Sequence, residues 1–346
     1  MQVWVAAEQN RSTFESLTTN TAEHCHHQAM SIAPYIKEIG RGKEGARSLS
    51  SEQAEDLMGQ VLDGRVSDLE VGAFAMAMRI KGESTDELLG FLRAVHKRCL
   101  PLSPQAPALI LPSYNGARKL PNLTALLALL VAQDGTPVLV HGPTHDPGRV
   151  TTASVFHDLG LPMARNAEDV LHGWARREPV FIATDTLCPP LARLLDVRWV
   201  VGLRNPGHTV AKLLDPTLGA RALRVVNHTH PEYGTALSAF LHRSGASAML
   251  LRGTEGEPVA DPRRSPRLDV FLRGELRADL SVPAQEGVLT ELPVLPRSID
   301  AATTAVYIQS VVSGEKPAPG PLTRQADSLH RALKALTEGS MHELSA

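Results

Sequence analysis

From Pro101 onward, short apolar runs of β type alternate with stretches of helical periodicity, and this alternation constrains the fold more than any other feature. ALIL precedes the turn PSYNG, a helix is expected at LTALLALLVAQ, and PVLVHG is a second strand. VTTASVFHDLG then predicts a helix, PVFIAT a strand, LARLLDV a helix and ASAMLLRG a further strand. Strands bounded by helices make parallel βαβ units, whose sheet must be covered on both faces. A β-rich segment is expected over 268–295 and a closing helix over 323–337, with the Pro-rich PAPGP at 317–321 between them.

The residues before Pro101 follow helical spacing instead. Ser50 or Ser51 suits a helix cap, with Glu52 and Glu55 at the positive end of the dipole. Leu57, Met58, Val61 and Leu62 recur at helical intervals until Gly64 ends the run. Val71–Ile80 and Glu87–Arg98 predict two more helices, the second amphipathic through Leu88, Leu89, Leu92 and Val95. A chain of 346 residues is long for one core. The expected class is α/β, with a small all-helical N-terminal domain (30–102), a larger α/β domain with a mostly parallel central sheet (103–346), and a flexible leader (1–29). HisCysHisHis at 24–27 closes that leader and is not read as a metal site, because adjacent histidines rarely share one ion. Met30 opens the globular pattern and is an alternative natural start.

Cys25, Cys99 and Cys188 lie far apart without a CxxC pair, which argues against a disulfide framework or zinc and suits a reducing cytoplasm. No apolar run reaches the roughly 18 residues of a membrane span. Aromatics make up only 4% and the net charge is −2, so composition alone sets no pull toward polyanions.

The stretch GAFAMAMR followed by Lys81, Gly82, Glu83, Ser84 and Glu87 resembles the helical domain of the anthranilate phosphoribosyltransferase and nucleoside phosphorylase superfamily. That resemblance implies a homodimer joined through this region. It also locates the catalytic motifs at the carboxyl ends of the strands, where parallel sheets hold ligands. The enzymes' first loop, Gly-Thr-Gly-Gly-Asp, wraps the pyrophosphate of phosphoribosyl pyrophosphate. Here it is Pro112-Ser113-Tyr114-Asn115-Gly116, where one glycine remains and Tyr114 is expected to crowd the cradle. Asn122 and Thr124 resemble the enzymes' Asn-x-Ser-Thr at the helix start, so Asn115, Gly116, Asn122 and Thr124 are candidate phosphate contacts, with Arg118 and Lys119 beside them. His141-Gly142 keeps part of a Lys-His-Gly-Asn-Arg motif and joins that candidate set.

Arg198 matches an arginine that binds the anthranilate carboxylate in the enzymes, and Gly202-Leu203-Arg204 matches their Gly-x-Arg. If the next segment is helical, Arg204, His208 and Lys212 form one basic stripe. The enzymes' Asp-Glu pair for Mg²⁺ is replaced by Pro258-Val259, leaving Glu255 and Glu257 nearby, while Arg252, Arg263, Arg264 and Arg267 appear. These edits resemble the YbiB-type branch of the family, whose members bind nucleic acid without sequence preference and lack transferase activity. The resemblance implies no catalytic residue, no cofactor and no metal. It implies a cytoplasmic homodimer that holds DNA or RNA backbones through Arg118, Lys119, Arg198, Arg204, His208 and Lys212. The rival readings are a working phosphoribosyltransferase using phosphoribosyl pyrophosphate and Mg²⁺, and a small-anion binder.

Overall fold

A computed structural model describes residues 31–217 and 222–344. The leader expected over 1–29, with its HisCysHisHis, lies outside the described residues. Among the described residues five helices come first: α1 (Ala33–Ile39), α2 (Gly42–Gly45), α3 (Ser51–Leu62), α4 (Asp68–Lys81) and α5 (Thr85–His96). Three of them start with the same device. Ser50, Ser67 and Ser84 each accept a hydrogen bond from the backbone three residues on, and Gln53, Glu70 and Glu87 reach back to the cap.

Glu87 does more than cap α5. Its fully buried carboxylate accepts from Leu49 N at 3.0 Å, Ser84 N at 2.8 Å and Lys81 Nζ at 2.6 Å. One side chain thus ties α5 to the end of α4 and to the chain entering α3. Gly90 allows α3 and α5 to touch, since a Cβ there would lie 2.2 Å from the Ser51 carbonyl oxygen.

The remainder alternates strand and helix: β1 (Ala108–Pro112), α6 (Thr124–Ala132), β2 (Val138–Gly142), α7 (Thr152–Leu159), β3 (Met163–Ala164), α8 (Ala167–Ala175) and β4 (Val180–Ala183). There follow α9 (Thr184–Leu187), α10 (Pro189–Val201), α11 (Pro206–Leu213), β5 (Ala222–His228), α12 (Pro231–Ser244) and β6 (Ala248–Arg252). The hairpin β7 (Leu268–Leu272) and β8 (Glu275–Leu276) precedes α13 (Ala301–Val312) and α14 (Gly320–Leu344). The sheet order is β3-β4-β2-β1-β5-β6-β7-β8, parallel through β6 and antiparallel at the hairpin.

Alternate residues of β1 feed two cores. Ala108 and Ile110 pack with the helical domain, α10, α11 and α12, while Leu109 and Leu111 pack with α6, α7, α13 and α14. The architecture is therefore the expected one, a helical bundle on a larger α/β domain. Two expectations need correction. The segment 268–295 holds only the short hairpin before turning irregular, and the closing helix runs Gly320–Leu344, longer at both ends than 323–337; its earlier start is compatible with Pro321, since proline is tolerated in a first turn. β5 and α13 are among the elements that were not expected, as are α1, α2, α8 and α12. Among the described residues, no helix is long and apolar enough to cross a membrane.

Candidate functional site

The chain leaves β1 for β2 on one side and returns through β5 on the other, so the sheet's switch point lies at the carboxyl end of β1. Ligands of parallel sheets belong here, and so does the turn 113–119. Its backbone donors already have partners. The buried Glu257 carboxylate accepts from Asn115 N and Gly116 N, both at 2.7 Å, and from the Ser113 hydroxyl. The hydroxyls of Thr124 and Thr152 face it at 3.4 Å. Glu255 accepts from Arg118 N at 2.5 Å and Lys119 N at 2.8 Å.

The groups of Asn115, Gly116 and Thr124 expected to contact phosphate face the protein's own Glu257 carboxylate in this structure. Asn122 is committed to the loop as well, donating to Val150 O at 3.2 Å and Thr152 Oγ1 at 2.9 Å and accepting from Thr124 N at 3.2 Å. Tyr114 does not crowd the cradle. It turns inward, where its hydroxyl shares a 2.9 Å hydrogen bond with His141 Nδ1. Burial pushes His141 down to about 4, so it is a neutral core imidazole at neutral pH. Gly142 serves close approach, since a Cβ there would lie 1.9 Å from the Ser113 carbonyl oxygen.

The arrangement does not suit the magnesium held by the enzymes that the chain resembles. Pro258 and Val259 cannot ligate it, and the carboxylates of Glu255 and Glu257 are held by backbone N–H groups. Among the described residues, no group of three or more His, Cys, Asp or Glu is placed to hold a metal ion.

Beside the filled turn, a cavity of about 360 Å³ separates the helical domain from the sheet. Arg79 and Glu83 enter it from the end of α4, Arg204, His208 and Lys212 from the α11 region, and Asn227 and His228 from the end of β5. The expected stripe on one helix face is corrected, because α11 begins at Pro206 and Arg204 precedes its cap. His208 is buried and neutral, held down to about 3 by burial and by Arg204 and Arg198. Its ring closes the α11 capping box instead of carrying charge. Lys212 donates to Gly256 O at 3.2 Å and Asn227 Oδ1 at 3.4 Å. Burial, then Arg204, lowers its pKa to about 8.

Arg204 is half-buried, and among the described residues its guanidinium has no ion pair or hydrogen bond. Burial, then Arg198 and Arg149, disfavours its charge. Arg198 has a carboxylate of its own, Asp146 at 2.6 Å, and its guanidinium lies 4.0 Å over the ring of its neighbour Trp199. Arg118 and Lys119 project into solvent from the turn.

A larger cavity of about 1190 Å³ lies between α12 and segment 261–269, and His228 and Glu255 border it. Arg263 and Arg267 at its rim are paired with Asp261 at 3.0 Å and Asp269 at 2.7 Å. Arg252 and Arg264 have no ion pair among the described residues. Sequence reasoning did not place Arg79 beside Arg204 or Asp146 against Arg198. Arg79 closes the GAFAMAMR stretch, but nothing local shows that it faces this cleft, and Asp146 lies in a segment with no motif to mark it.

A model for the helical bundle domain of a glycosyl transferase family matches residues 33–99. YbiB of Escherichia coli (strain K12), itself described as uncharacterized, is 40% identical over 299 residues, covering 86% of this chain and 92% of that protein. Anthranilate phosphoribosyltransferase 2 of Ralstonia nicotianae is 26% identical over 80% of both chains. Among solved structures, anthranilate phosphoribosyltransferase from Thermus thermophilus superposes with a TM-score of 0.64 at 22% identity, covering 88% of this chain and 91% of that one. The Saccharomyces cerevisiae enzyme in complex with PRPP and Mg gives 0.61 at 14% identity, covering 89% and 88%. With the helical bundle, the mostly parallel sheet and the altered strand-end loops, these matches establish that the chain belongs to the glycosyl transferase family of anthranilate phosphoribosyltransferase fold, as a homologue of YbiB.

Proposed function

We propose that the protein is a non-catalytic, cytoplasmic homodimer that holds the backbone of DNA or RNA without sequence preference. The observation that carries this reading is Arg204, a half-buried guanidinium that makes no hydrogen bond or ion pair among the described residues; its acidic neighbour Asp146 is already paired with Arg198. Arg204 lies in a cleft with Arg79 and Lys212, whose lining includes one carboxylate, Glu83. Uncompensated buried cations are costly unless an anion joins them. Arg118 and Lys119, exposed on the adjoining turn, extend the cationic path toward Arg252 and Arg264. With few aromatics, backbone contact outweighs base stacking.

The helical domain (30–102) supplies the dimer contact in this proposal. Leu69, Met76 and Ile80 lie on one face of α4 and are 83%, 41% and 64% exposed, an apolar stripe that a second copy would cover.

The test is a titration of a labelled oligonucleotide against salt. Log affinity should fall linearly with log salt, because each phosphate contact displaces counterions. A flat slope, or no retention at low salt, defeats the reading. Turnover of phosphoribosyl pyrophosphate with Mg²⁺ by the same sample would favour the transferase alternative.

A further inference from the structure

The turn after β1 offers two consecutive pairs of backbone N–H groups, Asn115 with Gly116 and Arg118 with Lys119. Each pair is taken by one carboxylate from the same short segment, Glu257 for the first and Glu255 for the second. Glu257 is 2% exposed, and among the described residues no Lys or Arg forms a direct ion pair with it; its hydrogen-bond partners are amides and hydroxyls, and Lys212 acts on it only through space. Successive backbone N–H groups beside a helix start are how proteins bind phosphate oxygens. Two such stations follow each other along one turn, and two linked phosphoryl groups are the ligand class that would use both.

The segment that delivers the carboxylates is shaped for that task. Glu255 adopts φ +53° and Gly256 φ +86°, both left-handed. A Cβ on Gly256 would lie 1.9 Å from Asn115 Nδ2, so the segment is pressed against the turn. Asn115 Nδ2 donates to Glu255 O at 2.7 Å, and Lys212 secures Gly256 O from the cleft side.

We propose that Glu257 and Glu255 form an internal plug: the turn keeps a two-station site for a diphosphate, and the chain fills it with its own carboxylates. The plug excludes diphosphate ligands from the switch point while leaving the neighbouring cationic cleft open. This inference does not rest on oligonucleotide binding and holds whether or not that reading stands.

The experiment titrates inorganic pyrophosphate, with chelator and at fixed ionic strength, into the full chain and its Glu257→Gln and Glu257→Ala variants, by calorimetry and thermal melting. Glutamine suits the site because its carbonyl can take the two amides while its NH₂ donates to hydroxyls able to accept. The expected result is no saturable binding by the wild type. The alanine variant should bind pyrophosphate at least about tenfold more tightly than the wild type, with orthophosphate weaker, and glutamine should fall between. Pyrophosphate should raise the melting midpoint of the variants alone. If Glu257→Ala folds only in pyrophosphate, that rescue supports the plug. A folded alanine variant with wild-type indifference to pyrophosphate overturns it. So does an unfolded one that pyrophosphate does not rescue, together with an indifferent glutamine variant. Oligonucleotide retention, measured on the same samples, bears only on the other reading.

Discussion

The ammonium of Lys212 donates to the carbonyl of Gly256 at 3.2 Å, and Gly256 stands between the two glutamates that fill the β1 turn. The cleft's most enclosed cation is thereby a brace for the segment that seals the neighbouring site. Its charge is marginal because burial lowers its pKa to about 8. The charge is present below that value and lost as pH rises through it. Oligonucleotide affinity should therefore weaken between pH 7 and 9 at constant salt. Lys212→Met should flatten that pH profile; a wild-type profile that is already flat counts against any role for Lys212 in binding.

Arg204 and His208 make opposite predictions although both line the cleft. Arg204→Glu should weaken oligonucleotide binding about tenfold or more and lower the salt slope by about one. His208→Gln should change neither quantity, because the imidazole is uncharged and glutamine also closes a capping box. Fluorescence anisotropy at several salt concentrations separates the two.

Buried neutral histidines set the acid limit of the fold. Unfolded, His141 takes up a proton near pH 6.5; folded, burial holds it to about 4. The unfolded chain thus binds more protons between those values, and stability falls as pH drops through that window. His141 alone accounts for at most about 3 kcal/mol by pH 4. Urea unfolding from pH 7 to 4 should show this decline, and a folded His141→Gln variant should show a shallower one.

Glu87 is the most consequential carboxylate of the helical bundle. Glu87→Ala leaves the Lys81 ammonium without its partner and strips acceptors from Leu49 N and Ser84 N. The expected loss is about 3–5 kcal/mol, read from the denaturant midpoint at unchanged slope. A loss below about 1 kcal/mol, the range of surface pairs, would show that the pair is solvated.

The apolar stripe of α4 predicts assembly. Ile80→Glu combined with Leu69→Lys should convert a dimer into a folded monomer, as measured by light scattering at micromolar concentration. A wild-type chain that is already monomeric removes this interface from the proposal.

Much of the scaffold was legible in the chain. The Ser-x-x-Gln/Glu spacings that open α3, α4 and α5 are local chemistry, as is the strand–helix alternation. β5 escaped notice because Arg224 interrupts its apolar run; the guanidinium is buried, donating to the Leu213 carbonyl, with Asp215 at 3.7 Å. α13 is rich in Val, Thr and Ile, which favour strands, and packing against α6 and α7 decided its conformation. That the β1 turn faces carboxylates of its own chain was not legible, for a different reason. A glutamate in a Gly-rich stretch looks solvated, and nothing local shows that Glu257 meets amides more than a hundred residues away in sequence.

That separation bears on any attempt to rebuild transferase chemistry here. Grafting a glycine-rich tip onto residues 113–116 alters one wall and leaves the occupant in place, because its hydrogen bonds to Asn115 and Gly116 span 142 and 141 positions of chain. An engineer must cut the stopper and reshape the socket together, and either change by itself should leave the enzyme silent.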